Sequence, residues 1–270
     1  MKLKKIDNII VIKVGTNTMF CQKNGHEQLD YASMKRIGTQ AVQLRQQGYN
    51  VAIVSSGAVT AGMQATKTLD RPSSGTAMPE VQRLATIGWH RVMTGWDAAL
   101  APVIAGGVLV TQRELSLASP ERDEALRTTY TLFHHGNIPI LNENDAITHG
   151  ELVVDSFGQN DELAATYAVQ IAGSDLFSGA VKLVLLSDVD GVYRDMNDAT
   201  TLIPRIPDPD KYMHIAGKSI SKNSKGGMHA KFAAAKIAHS AGVDMWIANG
   251  KTENAIQLAL EGKIGTHFPA

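Results

Sequence analysis

Short apolar runs alternate with longer segments of helical spacing, and this alternation most constrains what the chain can fold into. Continuous apolar runs predict strands buried on both faces, at Ile9–Gly15, Val51–Ser55, Val103–Val110, Ile138–Asn142, Leu183–Ser187 and Met245–Ala248. Periodicity predicts helices over Tyr31–Gln47, Val81–Leu100, Glu121–His135, Glu162–Ala172 and Ala230–Ala241. This order predicts an α/β fold with a parallel or mostly parallel sheet and helices on both faces.

Five segments marked by glycine and charged residues lie where predicted strands end or a predicted helix begins. They are Val11–Asn17, Val54–Val59, Asn142–Ala146, Leu185–Tyr193 and Lys225–Lys231. Parallel strands end at the same edge of a sheet, so these segments are expected to converge on one crevice. Together they supply lysines, backbone N–H groups and carboxylates, which are the groups that a phosphoryl-transfer site needs.

Composition narrows the class of protein. The 270 residues carry 26 basic and 26 acidic side chains, and the absence of a basic excess argues against a nucleic-acid partner. The single cysteine, Cys21, excludes an internal disulfide and fits a reducing compartment. No apolar stretch is as long as a membrane span, so we expect a cytoplasmic protein without a membrane partner. The sequence shows no flexible linker, which predicts one continuous domain over residues 1–270.

Several known site signatures are missing. The sequence contains no P-loop and no glycine-rich dinucleotide motif after the first strand. It also has no cysteine–histidine cluster, which argues against a zinc site. The stretch Asp195–Ser224, with Pro204, Pro207 and Pro209, predicts a loop-rich excursion over the surface.

Lys13 and Gly57 each allow two interpretations from the residues alone. Lys13 lies inside an apolar strand, either as a cation aimed at phosphate or as a lysine that reaches solvent from an edge strand. Gly57 follows Ser56 at a strand end, either as the start of an anion-binding helix or as an ordinary turn.

Polar residues cluster at three further strand ends or helix starts. Asn160 or Asp161 could be the N-cap of a helix. The Asn/Asp cluster at Asn142–Asp145 lies within about twenty residues of this pair, however, and two clusters so close together suggest another role. Their amides would bind a carboxylate substrate, and a carboxylate among them would fix the positions of lysines. Asp188 at a strand end suits a metal- or lysine-orienting role. Lys231 in the first turn of a helix works against the helix dipole, which favours a phosphate contact there.

These segments resemble the amino-acid kinase family, and within it the glutamate kinases. The resemblance runs from Ile10 to about Phe268 and is most specific in VSSGAVTAGM, IPILNENDAI with FGQNDELAA, and LLSDVDGVY followed by KGGMHAKFAAAKIA. It implies a three-layer α/β/α sandwich around an open, mostly parallel sheet. An acceptor-binding part would occupy about residues 1–175 and an ATP-binding part about residues 176–270. Many members carry a further C-terminal PUA domain, which this chain, ending at Ala270, would lack.

The resemblance also implies site residues, with ATP, Mg²⁺ and L-glutamate as ligands. Residues implied to face ATP are Lys13, Gly15, Ser187, Asp188, Lys225, Gly226, Gly227, Met228 and Lys231. Those implied to hold glutamate are Ser56, Gly57, Asp145 and Asn160. The implied catalytic residues are Lys13, Lys231 and Asp161, with Asp161 orienting the two lysines. No protein metal ligand is assigned, and a homo-oligomer, a dimer or tetramer, is implied.

One departure from the family pattern leaves alternatives open. The usual aspartate before the Asn-Asp pair is Gln159 here, which removes a negative charge near the acceptor. A kinase of the same fold that acts on another carboxylate or on a phosphate acceptor therefore remains an alternative. A regulatory protein that binds nucleotide without turnover is a second one.

Overall fold

A seven-stranded sheet runs through the centre of the computed structural model, which describes residues 5–23, 26–69, 72, 78–116, 118–147, 159–216 and 227–270. The strand order is β5-β6-β4-β1-β7-β10-β11. The sheet strands are β1 (Ile9–Val14), β4 (Asn50–Ser55), β5 (Ala105–Val110), β6 (Ile138–Glu143), β7 (Val181–Ser187), β10 (Asp244–Asn249) and β11 (Thr266–Phe268). Two small hairpins pair β2 (Phe20–Lys23) with β3 (His26–Leu29), and β8 (Val192–Tyr193) with β9 (Leu202–Ile203).

Strands β5, β6, β4, β1, β7 and β10 are parallel, and only β11 pairs antiparallel to its neighbour β10. The six parallel strands therefore end together at one edge, called here the carboxyl edge. Strand β1 lies at the centre, where Lys13 pairs with Val54 of β4 on one side and Leu185 of β7 on the other. The carboxyl edge is where the side chains that follow β1, β4, β6 and β7 meet.

Helices cover both faces of the sheet. They are α1 (Thr16–Met19), α2 (Tyr31–Gln46), α3 (Ala58–Thr66), α4 (Met78–Leu100), α5 (Gln112–Ser116), α6 (Pro120–His134), α7 (Gln159–Ala172), α8 (Pro209–Ala216), α9 (Gly227–Ser240) and α10 (Ala255–Leu260). One apolar core packs Val11 and Leu185 against α7 and α9. The other packs Ile12 and Ile53 against α2 and α4. In the part of the chain that the structure describes, no helix is long and apolar enough to cross a membrane.

The sequence predictions of the sheet and its main helices are confirmed, with two corrections. Strand β5 begins at Ala105, and only Val110 of its six residues is buried because the strand forms the sheet edge instead of a central strand. Within the predicted loop-rich stretch Asp195–Ser224, Pro209 begins helix α8, which the sequence did not predict. Proline suits the first position of a helix, where its missing N–H group has no intrahelical acceptor to lose.

Helices α3 and α4 cross at two glycines with almost no space between their backbones. A Cβ atom on Gly88 would lie 1.7 Å from the carbonyl oxygen of Ala58, and one on Gly62 would lie 1.9 Å from that of Leu84. Only hydrogen atoms fit at these positions, so the two helices are held as one unit. Because α3 begins directly after Ser56 and Gly57, helix α4 packs on the element that leaves the carboxyl edge.

Candidate active site

Two lysines distant in sequence contact the same carboxylate at the carboxyl edge. The Nζ atom of Lys13 lies 2.6 Å from Oδ1 of Asp161, and Nζ of Lys231 lies 2.9 Å from Oδ2. The three residues are called here the lysine–aspartate cluster. Lys13 is 7% exposed, Lys231 is 8% exposed and Asp161 is 2% exposed. Lys13 reaches the cluster from the central strand β1, so its interpretation as a lysine on an edge strand is wrong.

The electrostatics of the cluster favour an ionised carboxylate. Burial alone would raise the pKa of Asp161, but the charges and hydrogen bonds of Lys13 and Lys231 lower it to about 2. Burial lowers the pKa of Lys13, and the nearby Lys231 charge lowers it further against the opposing effect of Asp161. Two ammonium groups thus share one carboxylate, and the excess positive charge suits an anionic ligand.

The turn after β1 brings the backbone of Gly15 close to one of these cations. The N–H group of Gly15 donates to the carbonyl oxygen of Leu186 at 3.1 Å, which ties the turn to β7. A Cβ atom on Gly15 would lie only 3.7 Å from Nζ of Lys13. That distance is an ordinary van der Waals contact, and the closer contact of such a Cβ atom would be with the carbonyl oxygen of Leu186 at 3.3 Å.

Three polar residues form a second group, called here the amide cluster. The Asn160 amide nitrogen in α7 donates to Oγ of Ser56 at 3.2 Å and to Oδ1 of Asn142 at 3.1 Å. The Asn160 Oδ1 atom is buried without a hydrogen-bond partner within the described ranges. Asn160 and Asp161 lie inside α7, so the N-cap interpretation of either residue is wrong.

The sequence reasoning gave Asn142 no individual role, although it lies in a polar segment already marked as a strand end. The nearby Asp145 is half-buried in the turn after β6, where its N–H group donates to the carbonyl oxygen of Glu143 at 2.9 Å.

Gly57 caps the start of α3 at φ +95°, a left-handed conformation that favours glycine. Gly57 therefore forms the turn after β4 and also begins helix α3, and anion binding at this helix start stays a prediction.

A second carboxylate, Asp188, directly follows strand β7 at the same edge. Its Oδ2 atom accepts a hydrogen bond from Nδ2 of Asn17 at 2.8 Å, and Oδ1 accepts one from Oγ of Ser187 at 3.2 Å. Partial burial opposes ionisation, but these hydrogen bonds and the Lys231 charge lower the Asp188 pKa. Asn17 was not predicted as a site residue, and only its place in the segment after β1 could have indicated it.

The glycine segment before α9 is described only in part. Gly227 and Met228 are the first residues of α9 and are half-buried, on the same helix as Lys231. The predicted ATP contacts Lys225 and Gly226 lie outside the described residues. Within the described ranges, no group of three or more His, Cys, Asp or Glu side chains is placed to hold a metal ion.

Comparison with known proteins gives relatives over nearly the whole chain. The model of the amino acid kinase family matches residues 8–249. A glutamate 5-kinase of Thermus thermophilus is 35% identical over 267 residues, covering 97% of this chain and 67% of the relative. A glutamate 5-kinase of Clostridium acetobutylicum is 36% identical over 257 residues, covering 93% and 90%.

Solved structures share the fold at low sequence identity. Carbamate kinase from Giardia lamblia bound to AMP-PNP aligns with a TM-score of 0.63 at 15% identity, covering 98% of both chains. UMP kinase from Bacillus anthracis aligns with a TM-score of 0.61 at 15% identity, covering 97% of this chain and 96% of that one. These likenesses agree with the predicted α/β/α sandwich. With the family model and relatives of about 35% identity over nearly its full length, the chain belongs to the amino acid kinase family.

Proposed function

We propose that this protein transfers the γ-phosphoryl group of ATP to the side-chain carboxylate of L-glutamate, forming γ-glutamyl phosphate and ADP. The observation that carries the proposal is the convergence of Lys13 and Lys231 on Asp161 at the carboxyl edge. The glutamate 5-kinase relatives support the acceptor, and the AMP-PNP complex of a carbamate kinase with this fold supports the nucleotide. Such a product is the first intermediate of proline biosynthesis in the family that the sequence resembles.

The chemistry needs charge stabilisation more than a general base. A glutamate side chain has a pKa of about 4.3, so it is already a nucleophilic anion at neutral pH. The barrier lies in bringing this anion to the anionic phosphate, so positioning and electrostatic stabilisation supply most of the catalysis. The ammonium groups of Lys13 and Lys231 would neutralise the transferring oxygens, and Asp161 would hold both groups in place.

The nucleotide side would be built from β1, β7 and α9. Gly15 would let the phosphates approach the Lys13 ammonium group, and Ser187, Gly227 and Met228 would line the path of the nucleotide. Mg²⁺ fits this side, because an ion bound mainly by phosphates needs only one or two protein carboxylates, and Asp188 would supply one. The bound ion would supply positive charge to the phosphate oxygens.

The acceptor side would be built from β4, β6 and α7. Ser56, Asn160 and Asp145 would hold glutamate, and the N–H groups at the start of α3 would face its reacting carboxylate. This arrangement divides a single domain into an acceptor part, about residues 1–175, and a nucleotide part, about residues 176–270.

The direct test is an ADP-release assay with a panel of acceptors and hydroxylamine trapping of acyl phosphates. L-Glutamate should give ADP and a hydroxamate in equal amounts, whereas aspartate, N-acetylglutamate and uridine monophosphate should give little of either. Faster turnover with another acceptor would overturn the glutamate assignment and support the alternative that Gln159 raised. ATP binding without transfer to any acceptor would support a regulatory protein instead.

Replacing Asn160 with alanine should weaken glutamate binding and leave ATP binding nearly unchanged. Loss of a hydrogen bond to a charged ligand commonly costs on the order of 10- to 100-fold in affinity, so KM for glutamate should rise by about that factor. Steady-state kinetics with each substrate varied in turn would measure both constants. Asn137→Ala, at the opposite end of β6, is the matched control, and equal losses for both substrates would contradict the proposed division of the site.

A further inference from the structure

A buried tryptophan contacts the residue that precedes the proposed acceptor site. The indole nitrogen Nε1 of Trp96 in α4 donates a hydrogen bond to Oγ of Ser55, the last residue of β4, at 2.8 Å. Both residues are fully buried. An indole N–H group that is buried costs free energy unless it is satisfied, so this contact fixes where the Ser55 hydroxyl lies.

The bond from Trp96 leaves the Ser55 hydroxyl proton to be donated elsewhere. The Ser55 Oγ atom lies 3.2 Å from the carbonyl oxygen of Ser56 and 3.4 Å from the thioether sulfur of Met19. A carbonyl oxygen is the stronger acceptor of the two, because a thioether accepts only weakly. The hydroxyl therefore links the Trp96 indole to the main chain of Ser56.

This link orients the peptide unit between Ser56 and Gly57, at the start of α3. The Ser56 N–H group donates to the carbonyl oxygen of Val14 at 3.1 Å, so Ser56 is held through both of its main-chain polar groups. Since a trans peptide is planar, the N–H group of Gly57 points away from the carbonyl oxygen that Ser55 holds. Fixing the Ser56 carbonyl thus fixes the direction of the Gly57 N–H group at the start of α3.

We propose that Trp96 is a positioning residue that acts through Ser55 to aim the Ser56–Gly57 peptide at the reacting groups, an inference that rests on the proposed function. Helix α4 can serve as the anchor because its backbone packs directly on that of α3 at Gly62 and Gly88. Small displacements of positioning groups cost large factors in rate when catalysis depends on geometry. Trp96 itself contacts neither substrate; its effect is on the donors that do.

The first test is Trp96→Phe, which removes the indole N–H group and keeps an aromatic ring. We expect kcat for glutamate phosphorylation to fall about tenfold, as for loss of a ~1.4 kcal/mol contribution to transition-state binding, with KM for ATP changed less than about twofold. The matched control is Trp89→Phe on the same helix, because the Trp89 indole makes no hydrogen bond to the described parts of the chain. This control should keep kcat near that of the unaltered protein.

A double-mutant cycle with Ser55→Ala separates positioning from a general packing effect. If Trp96 acts through Ser55, the double variant should have the same kcat as Ser55→Ala alone, whereas independent effects would multiply. Thermal unfolding of each variant would show any loss of packing as a lower Tm. If Trp96 acts by positioning, the order of the Tm values should differ from the order of the kcat values. If Trp96→Phe does not fold, Ser55→Ala still decides the matter, and an unchanged kcat for that variant would overturn the proposal.

The outcomes also distinguish this inference from the proposed function. An unaltered protein that forms no glutamate hydroxamate overturns both. An active protein in which Trp96→Phe and Trp89→Phe behave alike, or in which the two replacements in the cycle multiply, overturns the positioning role and leaves the proposed reaction standing.

Discussion

Replacing Lys231 with alanine is expected to lower kcat about a thousandfold while the protein stays folded. Removing one preorganised group that stabilises transition-state charge commonly costs on the order of 4 kcal/mol, which is about three powers of ten in rate. The folded state should tolerate the loss because Lys13 and Asp161 remain as a one-to-one ion pair at 2.6 Å. No buried charge is left without a partner, which is the usual cause of severe destabilisation in such clusters.

The measurement is kcat for hydroxamate formation at saturating glutamate and ATP, together with a circular dichroism spectrum and a thermal unfolding curve. Lys236→Ala is the matched control, since Lys236 lies on the same helix, is partly exposed and pairs with Asp210 at 2.6 Å. This control should change kcat little. Turnover by Lys231→Ala within about tenfold of the unaltered protein would show that the proposed role of Lys231 is misassigned.

The sheet and the carboxyl edge could be predicted because they follow from local pattern and one topological rule. Buried parallel strands read as continuous apolar runs, and parallel strands end on the same side. The observed β1, β4, β6, β7 and β10 are such runs. The strand order places Lys13 at this edge, where it meets Lys231 of α9, although the two lysines are 218 positions apart in sequence, by subtraction of 13 from 231.

Features that depend on tertiary contacts were not predicted. The hairpin of β2 and β3 and the short edge strand β11 lack a long apolar run, so periodicity carries little information about them. The roles of Asn17 and Asn142 depend on partners from other strands, and so does the bond from Trp96 to Ser55. From sequence alone, a tryptophan on the buried face of a helix is predicted only to pack in the core, because the partner of its indole N–H group is not known.

Close helix packing also had no decisive sequence signal. Gly62 lies in the interior of α3 and Gly88 in the interior of α4. Glycine at such positions normally lowers helix stability by about 1 kcal/mol relative to alanine. Their reason becomes visible only when the α3 and α4 backbones are placed together. Glycines at interior helix positions therefore marked a site of contact that the sequence alone could not assign.

The second large effect should come from Asp161→Asn, which keeps the shape of the side chain and removes its charge. Two buried ammonium groups would then lose the carboxylate that both contact, and loss of one partner from a buried ion pair commonly costs roughly 3–5 kcal/mol in the free energy of unfolding. The exposed Asp175, which lies 3.8 Å from Lys5, gives the control Asp175→Asn, and that replacement should leave the unfolding curve nearly unchanged. Urea unfolding at pH 7 would measure both differences.

The pH dependence of that difference tests its electrostatic origin. The folded-state pKa of Asp161 is about 2, against an ordinary value of 3.8, so its charge stabilises the fold above pH 4. By linkage this contribution, roughly 2 kcal/mol, is lost as pH falls from about 4 through 2, because the unfolded chain takes up the proton first. The stability gap between the unaltered protein and Asp161→Asn should therefore narrow in acid. A gap of equal size at pH 7 and pH 2.5 would mean that the asparagine disturbs packing instead, and that Asp161 does not hold the two lysines by its charge.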